Sequence, residues 1–514
     1  MSIPYLGVTP PVSLAGPSDK DNAHTEQLFE FLDQHAPAAS AEQVRARLDA
    51  IKLLQETTTA WIQDLAALSA HDPLTARSAI VTFGSFKLGL VAPDSDIDAV
   101  CVAPSYVTTS DFFDILVCRF QETTAIDGTA EFTEITPVRE AYTPLIKLKV
   151  RGIDVDLLFA SVGLPVLPDE LETELLTKDN LLCSMDEKSA RTLNGPRVAH
   201  QLLQLVPNAE NFRHTLRYVK HWADRRGLYS NVLGFFGGIT WALLTARVCQ
   251  LFPNMSPAQL IVRFFKVWSR WDWPSPVSLN EIELKDTVSF AHFKVWSKNT
   301  AEGARHLMPI ITPAFPAMNS THNVSETTRR ILLDELNRGH GILSELSKPG
   351  QPDASPSLFS VVAQEVDRET EHSQFLVIRV RGDTELILNK LEGFVESRLR
   401  FLVMGIEKTA NLVRIRPYPG FEDFQINEGA SPKSTEKACY FGISLPPEDE
   451  RKKQQAWDLR PAVSNFIERL VEWSEISKVP RGSFDVVIKH EAGKNKKRKI
   501  LDEGEVGLKQ LRTL

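Results

Sequence analysis

The chain has 514 residues, 43% of them hydrophobic, and a formal charge of -8, so it exceeds one ordinary domain, and about two to four domains with separate cores are expected. The acidic balance excludes a protein coated in positive charge, and any nucleic-acid contact must come from local basic grooves. Five cysteines (Cys101, Cys118, Cys183, Cys249, Cys439) are widely spaced, odd in number and form no CxxC pair, which argues against a disulfide framework or a zinc site and fits reduced thiols in a nuclear or cytosolic protein.

The opening MSIPYLGVTPPVSLAGPSDK carries prolines and polar groups where a secretory signal needs a basic start and an apolar run. Between residues 41 and 69, Val44, Leu48, Ile51, Leu53, Leu54, Trp61, Ile62 and Leu65 recur at helical spacing and predict a long amphipathic helix ending before His71-Asp72-Pro73. Ser78 to Phe83 reads as a short strand, Gly84-Ser85 opens a helical segment near 85 to 91, and Asp96 to Ala103 reads as the next strand. A helix over 110 to 122 comes next, then a hairpin of Ile146 to Val150 and Ile153 to Ala160 around Arg151-Gly152.

From about 164 to 345 the pattern turns helical, with helices expected at Arg197 to Leu205, Phe212 to Arg226, Gly238 to Leu251, Pro257 to Trp268 and Ser325 to Leu346. The longest apolar run, 234 to 252, is interrupted by glycines, threonines and Arg247, which predicts a buried helix and no membrane span. KPGQPDASPS (348 to 357) reads as a linker. Beyond it come a strand at Gln374 to Arg381, a helix at Thr384 to Glu407, strands at Leu412 to Arg416 and Tyr440 to Leu445, a helix at Pro461 to Ile476 and a strand at Phe484 to His490. That order is βαββαβ, the ferredoxin-like arrangement. KNKKRK at 494 to 499 reads as a nuclear-import tract in a polar tail.

The chemistry concentrates in GSFKLGLVAPDSDID, residues 84 to 98. Successive side chains of a strand point to opposite faces, so Asp96 and Asp98 share one face while Ile97 enters the core. A bare DxD is as readily a solvated loop or helix cap; two further features favour a site. The Gly84-Ser85 turn puts amides at a helix start, where a triphosphate is favoured. The hairpin supplies a third carboxylate, and strand parity leaves both Asp154 and Asp156 as candidates. Hard divalent cations take oxygen ligands of this kind, and two of them can clamp an in-line displacement at phosphorus.

Within 211 to 241, Lys220 could neutralise a phosphate, Tyr229 could stack on or hydrogen-bond a nucleotide, and Asn231 could bond ribose or base. A lysine on an amphipathic helix is otherwise simply solvated. His214 and His221 share a helix face but lack a third ligand and read as structural. GxSxG, GxxxxGK(S/T), HExxH and the kinase signature set are absent, so those hydrolase, P-loop, zincin and kinase readings lack their minimal parts.

FGSFKLG (83 to 89) with PDSDIDAVCVAP (93 to 104), IDVDLLFA (153 to 160), DEKSARTLNGPRV (186 to 198), KHWADRRGLYSNVLGFFGGITWALL (220 to 244) and HLMPIITPAFPAMNSTHNVS (306 to 325) resemble, in order and spacing, the eukaryotic nuclear poly(A) polymerase family over roughly residues 5 to 480. The resemblance implies an α+β multidomain fold: an N-terminal segment and helix packing with the middle domain (1-58), a polymerase-beta-like nucleotidyltransferase palm (59-190), an α-helical middle domain (191-350), an RRM-like, ferredoxin-like RNA-binding domain (351-490) and a basic tail (491-514). It selects Asp156 over Asp154 and makes Asp96, Asp98 and Asp156 both catalytic and metal-binding. By the same resemblance Phe83, Gly84, Ser85, Lys220, Tyr229, Asn231, Gly238 and Ile239 look like the ATP-contacting set. Asn194 looks like an adenine contact, and Ala92 stands at a loop position where only its backbone could bond nucleotide.

The resemblance further implies a two-ion Mg2+ or Mn2+ site, ATP as substrate and an RNA 3′ end as acceptor. It also implies a monomeric catalytic subunit in the nucleus, away from membranes, that meets pre-mRNA cleavage and polyadenylation factors. Rival readings are another terminal nucleotidyltransferase, uridylyl- or CCA-adding, or a catalytically idle RNA-binding scaffold. Phe86 and Lys87 depart from the Tyr and Arg of many relatives, keeping the charge but losing a hydroxyl and a bidentate fork. The chain also ends soon after KNKKRK without the long Ser/Thr-rich tail of vertebrate relatives, so regulation through such a tail is not expected. The last domain has no aromatic base-stacking motif, so RNA contact there is expected from Arg379, Arg381, Arg414 and Arg416.

Overall fold

Two capped helices open the chain. Ser18 with Asp21 forms a capping box on α1 (Asp19–His35), and Ser40 with Gln43 does so on α2 (Ala41–Leu68), giving the first free N–H groups their acceptors. A computed structural model describes residues 5–139, 143–285, 290, 293–344, 357–409, 414–424, 435–444, 459–471, 479, 482–492 and 506–507. KNKKRK and nearly all of the expected linker lie outside the described residues.

The buried face of α2 runs through Arg47, Ala50, Leu54, Thr58, Trp61, Ile62 and Leu65. Leu48, expected on that face, is 52% exposed, and its neighbour Arg47 takes the inward position. The face covers one side of a five-stranded sheet made of β1 (Ala79–Thr82), β2 (Ile97–Ala103), β3 (Phe132–Val138), β4 (Leu145–Val150) and β5 (Ile153–Ser161), in the order β1-β2-β5-β4-β3. Only β2 and β5 run parallel; the other neighbours are antiparallel. The edge strand β3 has no clear signature in the sequence, because Pro137 and a bulge between Thr133 and Thr136 break its alternation.

Along β2, Ile97, Ala99 and Cys101 pack with Trp61 and Ile62 of α2 and with Phe112 and Phe120 of α4 (Thr109–Glu122). On the opposite face Val100 and Val102 meet Leu171 and Leu175 of α5 (Leu171–Thr177) and Leu193 of α6 (Glu187–Gln204). A short helix, α3 (Gly84–Leu88), links β1 to the loop before β2.

The middle of the chain is helical: α6, α7 (Ala209–Arg225), α8 (Gly238–Leu251), α9 (Pro257–Ser269) and α10 (Glu326–Ser344). The sequence places the start of α6 after Pro196; the helix in fact begins at Glu187, capped by Asp186, and carries Pro196 inside it. Every residue of α8 from Thr240 to Leu251 is buried, and among the described residues no helix is long and apolar enough to cross a membrane. α1 lies on α7, tied by Arg217, which donates to the Ala36 carbonyl (2.6 Å) and pairs with Asp33 (2.9 Å). The expected divisions at 58 and 190 thus fall inside α2 and α6, both continuous across those residues.

After α11 (Ser357–Val362) and α12 (Arg368–Glu371) come β6 (Gln374–Gly382), α13 (Glu385–Glu396), α14 (Leu399–Thr409), β7 (Arg414–Pro417), β8 (Glu422–Asp423), β9 (Thr435–Ser444), α15 (Arg460–Val471), β10 (Phe484–Ala492) and β11 (Val506–Gly507). The sheet order is β11-β10-β6-β9-β7, antiparallel throughout, with β8 on β9. The core strands follow the βαββαβ plan. The single helix expected from Thr384 to Glu407 is two, broken at Ser397, because α13 packs on β6 while α14 packs on α15.

A buried ion cluster joins this unit to the middle helices. Glu335 of α10 accepts from Arg226 at 2.7 and 2.9 Å, from Arg338 at 2.9 Å and from Arg416 of β7 at 3.1 Å, and Arg416 also reaches Glu371 at 3.1 Å. Arg416 is therefore engaged inside the protein and Arg379 pairs with Glu436 at 3.6 Å, while Arg381, 3.6 Å from Asp383, and Arg414 are both exposed.

Burial alone would raise the Glu335 pKa, but Arg226, through both hydrogen bonds and charge, with Arg416 and Arg338 brings it down to about 2. A carboxyl with a depressed folded pKa gives stability present above its unfolded value, about 4.3, and lost as pH falls toward the folded one. Glu335→Gln is expected to cost about 3–5 kcal/mol by leaving buried cations uncompensated. The deficit, read by denaturant unfolding, should be full at pH 7 and shrink toward pH 3.

Candidate active site

The parallel pairing of β2 and β5 places Asp98 directly opposite Asp156. Asp96 stands just before β2 on the same face, and oxygens of the three carboxylates lie within 4.8 Å of one another. Asp154, which parity leaves equivalent to Asp156, is a residue pair further down the sheet, 65% exposed and 3.9 Å from Lys149. Strand register, not parity, separates the two.

Gly84 has a φ of 61°, and a Cβ there would run into the Asp98 carboxylate, so the turn can approach the acids only as glycine. The Phe83 N–H donates to the Asp98 carbonyl at 3.0 Å and ties that turn to β2.

Crowding sets the electrostatics. Burial and then the charges of Asp96 and Asp156 push the Asp98 pKa up to about 6, against the pull of Lys147 and Lys220. Asp96 is raised by burial and by Asp156. The Lys147 ammonium, one strand over on β4, sits 3.1 Å from both oxygens of Asp156. Lys220 is deep in the site; burial lowers its pKa while Asp96 and Asp98 pull it back.

Three hard oxygen donors that destabilise one another, with two ammonium groups beside them, fit a divalent cation bound together with an anionic ligand.

Beside the acids a cavity of about 440 Å³ runs between the sheet and the middle helices. Phe83, Gly84, Ser85, Asp96 and Asp98 line it from the sheet side, Asn194 from α6, Lys220 from α7, Tyr229 from the segment before α8, and Gly238 and Ile239 from the start of α8. The Lys220 ammonium is 5.9 Å from the centre of the Tyr229 ring, and burial raises the Tyr229 pKa to about 12. Gly238 abuts the Tyr229 hydroxyl, which a Cβ would meet at 2.5 Å. The Asn194 amide oxygen is buried and has no partner among the described residues, its amide nitrogen resting 3.4 Å from the Met318 sulfur.

Two expected residues stand off the cavity wall. Asn231 lies behind it, its carbonyl accepting from Gly234 N–H and from Asn323 Nδ2, both at 3.1 Å. Ala92 is the other: its N–H donates to Ser95 Oγ (2.8 Å) and its carbonyl accepts from Ser95 N–H (3.1 Å) and Arg47 (3.3 Å).

Sequence reasoning misses Lys147 and Thr312. Lys147 is within its reach, since a hairpin turning at Arg151-Gly152 pairs it with Asp156; Thr312 arrives from a loop without any local pattern. His221 packs against Phe31 and His35, and burial and Arg225 lower its pKa to about 4, in keeping with a structural role.

An aspartate titrates near 3.9 in an unfolded chain. With Asp98 raised to about 6 in the fold, the folded state loses stability as pH rises between those values and carries the full penalty at pH 7. Asp98→Asn should therefore raise the metal-free Tm at pH 7.5 by about 2–4 °C, the shift that about 1 kcal/mol produces in a domain of 150–250 residues. The gain should vanish at pH 4, and Mn2+ should raise the Tm of the wild type but not of the variant.

Three family models match in chain order: the poly(A) polymerase nucleotidyltransferase domain over residues 7–206, the poly(A) polymerase central domain over 211–358 and the poly(A) polymerase predicted RNA binding domain over 370–435. A poly(A) polymerase of Dictyostelium discoideum is 36% identical over 97% of this chain and 60% of its own length, and nuclear poly(A) polymerase 4 of Arabidopsis thaliana is 39% identical over 90% of this chain and 60% of its own. Poly(A) polymerase PAPa of Candida albicans is 35% identical over 80% of this chain and 72% of its own length. The chain spans about three-fifths of the length of the Dictyostelium and Arabidopsis relatives. With all three domain models matched in order, and extended identity to relatives from amoeba, plant and yeast, this chain belongs to the poly(A) polymerase family.

Proposed function

We propose that this protein is a polynucleotide adenylyltransferase that adds AMP from ATP to an RNA 3′ end without a template and releases pyrophosphate. The observation that carries the reading is the Asp96, Asp98, Asp156 cluster at the side of a nucleotide-sized cavity, in a chain of this family. When bound, Mg2+ or Mn2+ held by the three aspartates would activate the 3′ hydroxyl and neutralise charge on the triphosphate.

The remaining work is positioning and charge compensation, because phosphoryl transfer asks little covalent chemistry of a protein. Lys220 brings a desolvated positive charge to the phosphate side of the cavity, and Ser85 offers a hydroxyl on the same wall. Tyr229, Phe83, Gly238 and Ile239 form the flat and apolar surfaces for a sugar and base. Asn194 supplies a buried acceptor with no donor among the described residues, which an exocyclic amino group such as adenine's would provide. Asn231 ties its loop through its backbone carbonyl, which takes Asn323 Nδ2, and packs beside Gly237. Lys147, bonded to both oxygens of Asp156, offsets part of the negative charge of the cluster.

The functional units are the sheet with α2 through α5 as palm, the helices α6 through α10 as middle domain and the βαββαβ unit as RNA-binding domain. The Arabidopsis relatives are named nuclear, which supports a nuclear site of action, with pre-mRNA cleavage and polyadenylation factors as partners.

Purified protein given a short RNA and each nucleoside triphosphate separately should extend with ATP alone. Preferred use of UTP or of CTP would instead favour the uridylyl- or CCA-adding reading, and no extension in Mg2+ or Mn2+ the scaffold reading. Asp156→Asn should lower the extension rate by about 10²- to 10³-fold or more, as loss of a group acting on transition-state charge does. Lys220→Ala should chiefly raise the KM for ATP, by about tenfold, which corresponds to about 1.4 kcal/mol; unchanged ATP kinetics would remove Lys220 from the phosphate site.

A further inference from the structure

Arg47 is 5% exposed, and every partner it has among the described residues is a backbone carbonyl. Its Nε donates to Ser95 O at 3.1 Å, and its Nη2 donates to Ser95 O at 2.8 Å, Pro93 O at 2.9 Å and Ala92 O at 3.3 Å. Nη1 turns back to Gln43 O at 3.1 Å within α2. A buried guanidinium solvated by carbonyls is costly unless each bond is made, and here four of its five bonds go to one loop, the four residues that lead into Asp96.

The three acids are not held alike. Asp98 and Asp156 are members of paired strands, and the Asp98 carbonyl also takes the Phe83 N–H. Asp96 precedes β2, so no ladder bond fixes it, and its place depends on where the loop from Ala92 to Ser95 delivers the chain. That loop is folded on itself by the bonds between Ala92 and Ser95 and then clasped by Arg47. α2 in turn is packed through Ala50, Leu54 and Trp61 onto the core that includes Ile97, so the guanidinium is anchored to the same core that carries Asp98.

We propose that Arg47 is a positioning residue for the cation site: by gathering the carbonyls of Ala92, Pro93 and Ser95 it sets where the Asp96 carboxylate stands relative to Asp98 and Asp156. The proposal rests on the reading of the three aspartates as a cation site. Lysine is a poor replacement, because its three donors sit on one nitrogen and cannot reproduce the planar fork by which Nε and Nη2 together grip Ser95 O.

The test is a Mn2+ titration of the intact, nucleotide-free protein, read by electron paramagnetic resonance, for wild type, Arg47→Lys and Arg47→Met, each with its melting temperature. Both variants should bind Mn2+ about 10- to 100-fold more weakly than wild type, the usual effect of losing an outer-shell partner. Should Arg47→Met fail to fold, Arg47→Lys carries the same comparison. Variants whose melting temperature falls while Mn2+ affinity stays at the wild-type value would make Arg47 merely structural and overturn the proposal. Wild-type protein that binds no Mn2+ would overturn the cation site itself, and the positioning role with it.

Discussion

Carboxylates that share a space within 4.8 Å repel one another, and the fold of this chain is arranged to hold three of them there. The parallel pairing of β2 with β5 is what forces Asp98 against Asp156, since a shift of one residue would turn one of them to the opposite face. Hydrophobic alternation locks that register: Ile97, Ala99 and Cys101 are buried against α2 and α4, and Val100 and Val102 against α5 and α6. The repulsion is thus sustained by burial on both faces of the sheet, and burial first, then the charges of Asp96 and Asp156, raise the Asp98 pKa above that of a free aspartate. A site strained in this way is relieved by positive charge, which Lys147 and Lys220 supply in part.

The rest of the molecule builds outward from that point. Gly84 lets the backbone come up against Asp98, where any side chain would collide. The middle helices complete the cavity from the other side with Asn194, Lys220 and Tyr229, so the site exists only while sheet and helices stay together. α10 extends this frame to the βαββαβ unit through Glu335 and its ring of arginines. Glu407 of α14 adds a second tie, accepting from Ser325 Oγ and Thr327 N–H, both at 2.7 Å, at the start of α10. Charges on the last unit that would otherwise face an anionic polymer are in part spent on this internal joint.

Most of the site is legible in the sequence, because its parts lie in short patterned segments. The alternation DSDID orients two acids, and the hairpin around Arg151-Gly152 brings a third. Parity cannot choose between Asp154 and Asp156; only the register between non-consecutive strands does, and no local pattern encodes it. Arg47 and Thr312 are hidden for a related reason, each acting far along the chain from the groups it touches. Helix positions are legible where apolar spacing is regular, as in α7 and α9, and fail where tertiary contacts override propensity. Pro196 continues inside α6, Leu48 faces solvent while Arg47 is buried, and Ser397 divides one apparent helix into two with different partners. Ala92 takes part in a fold of the loop that the sequence does not reveal, its backbone groups bonded to Ser95 and Arg47.

The proposed chemistry stands or falls on whether Asp96, Asp98 and Asp156 hold one cation together. Anomalous diffraction from crystals soaked in Mn2+ and a non-reactive ATP analogue tests it most directly. Peaks coordinated by Asp96, Asp98 and Asp156 together, at about 2.0–2.2 Å from their oxygens as small octahedral cations require, are the expected result. Manganese bound elsewhere, or held by Asp96 and Asp98 while Asp156 remains paired only to Lys147, would contradict it.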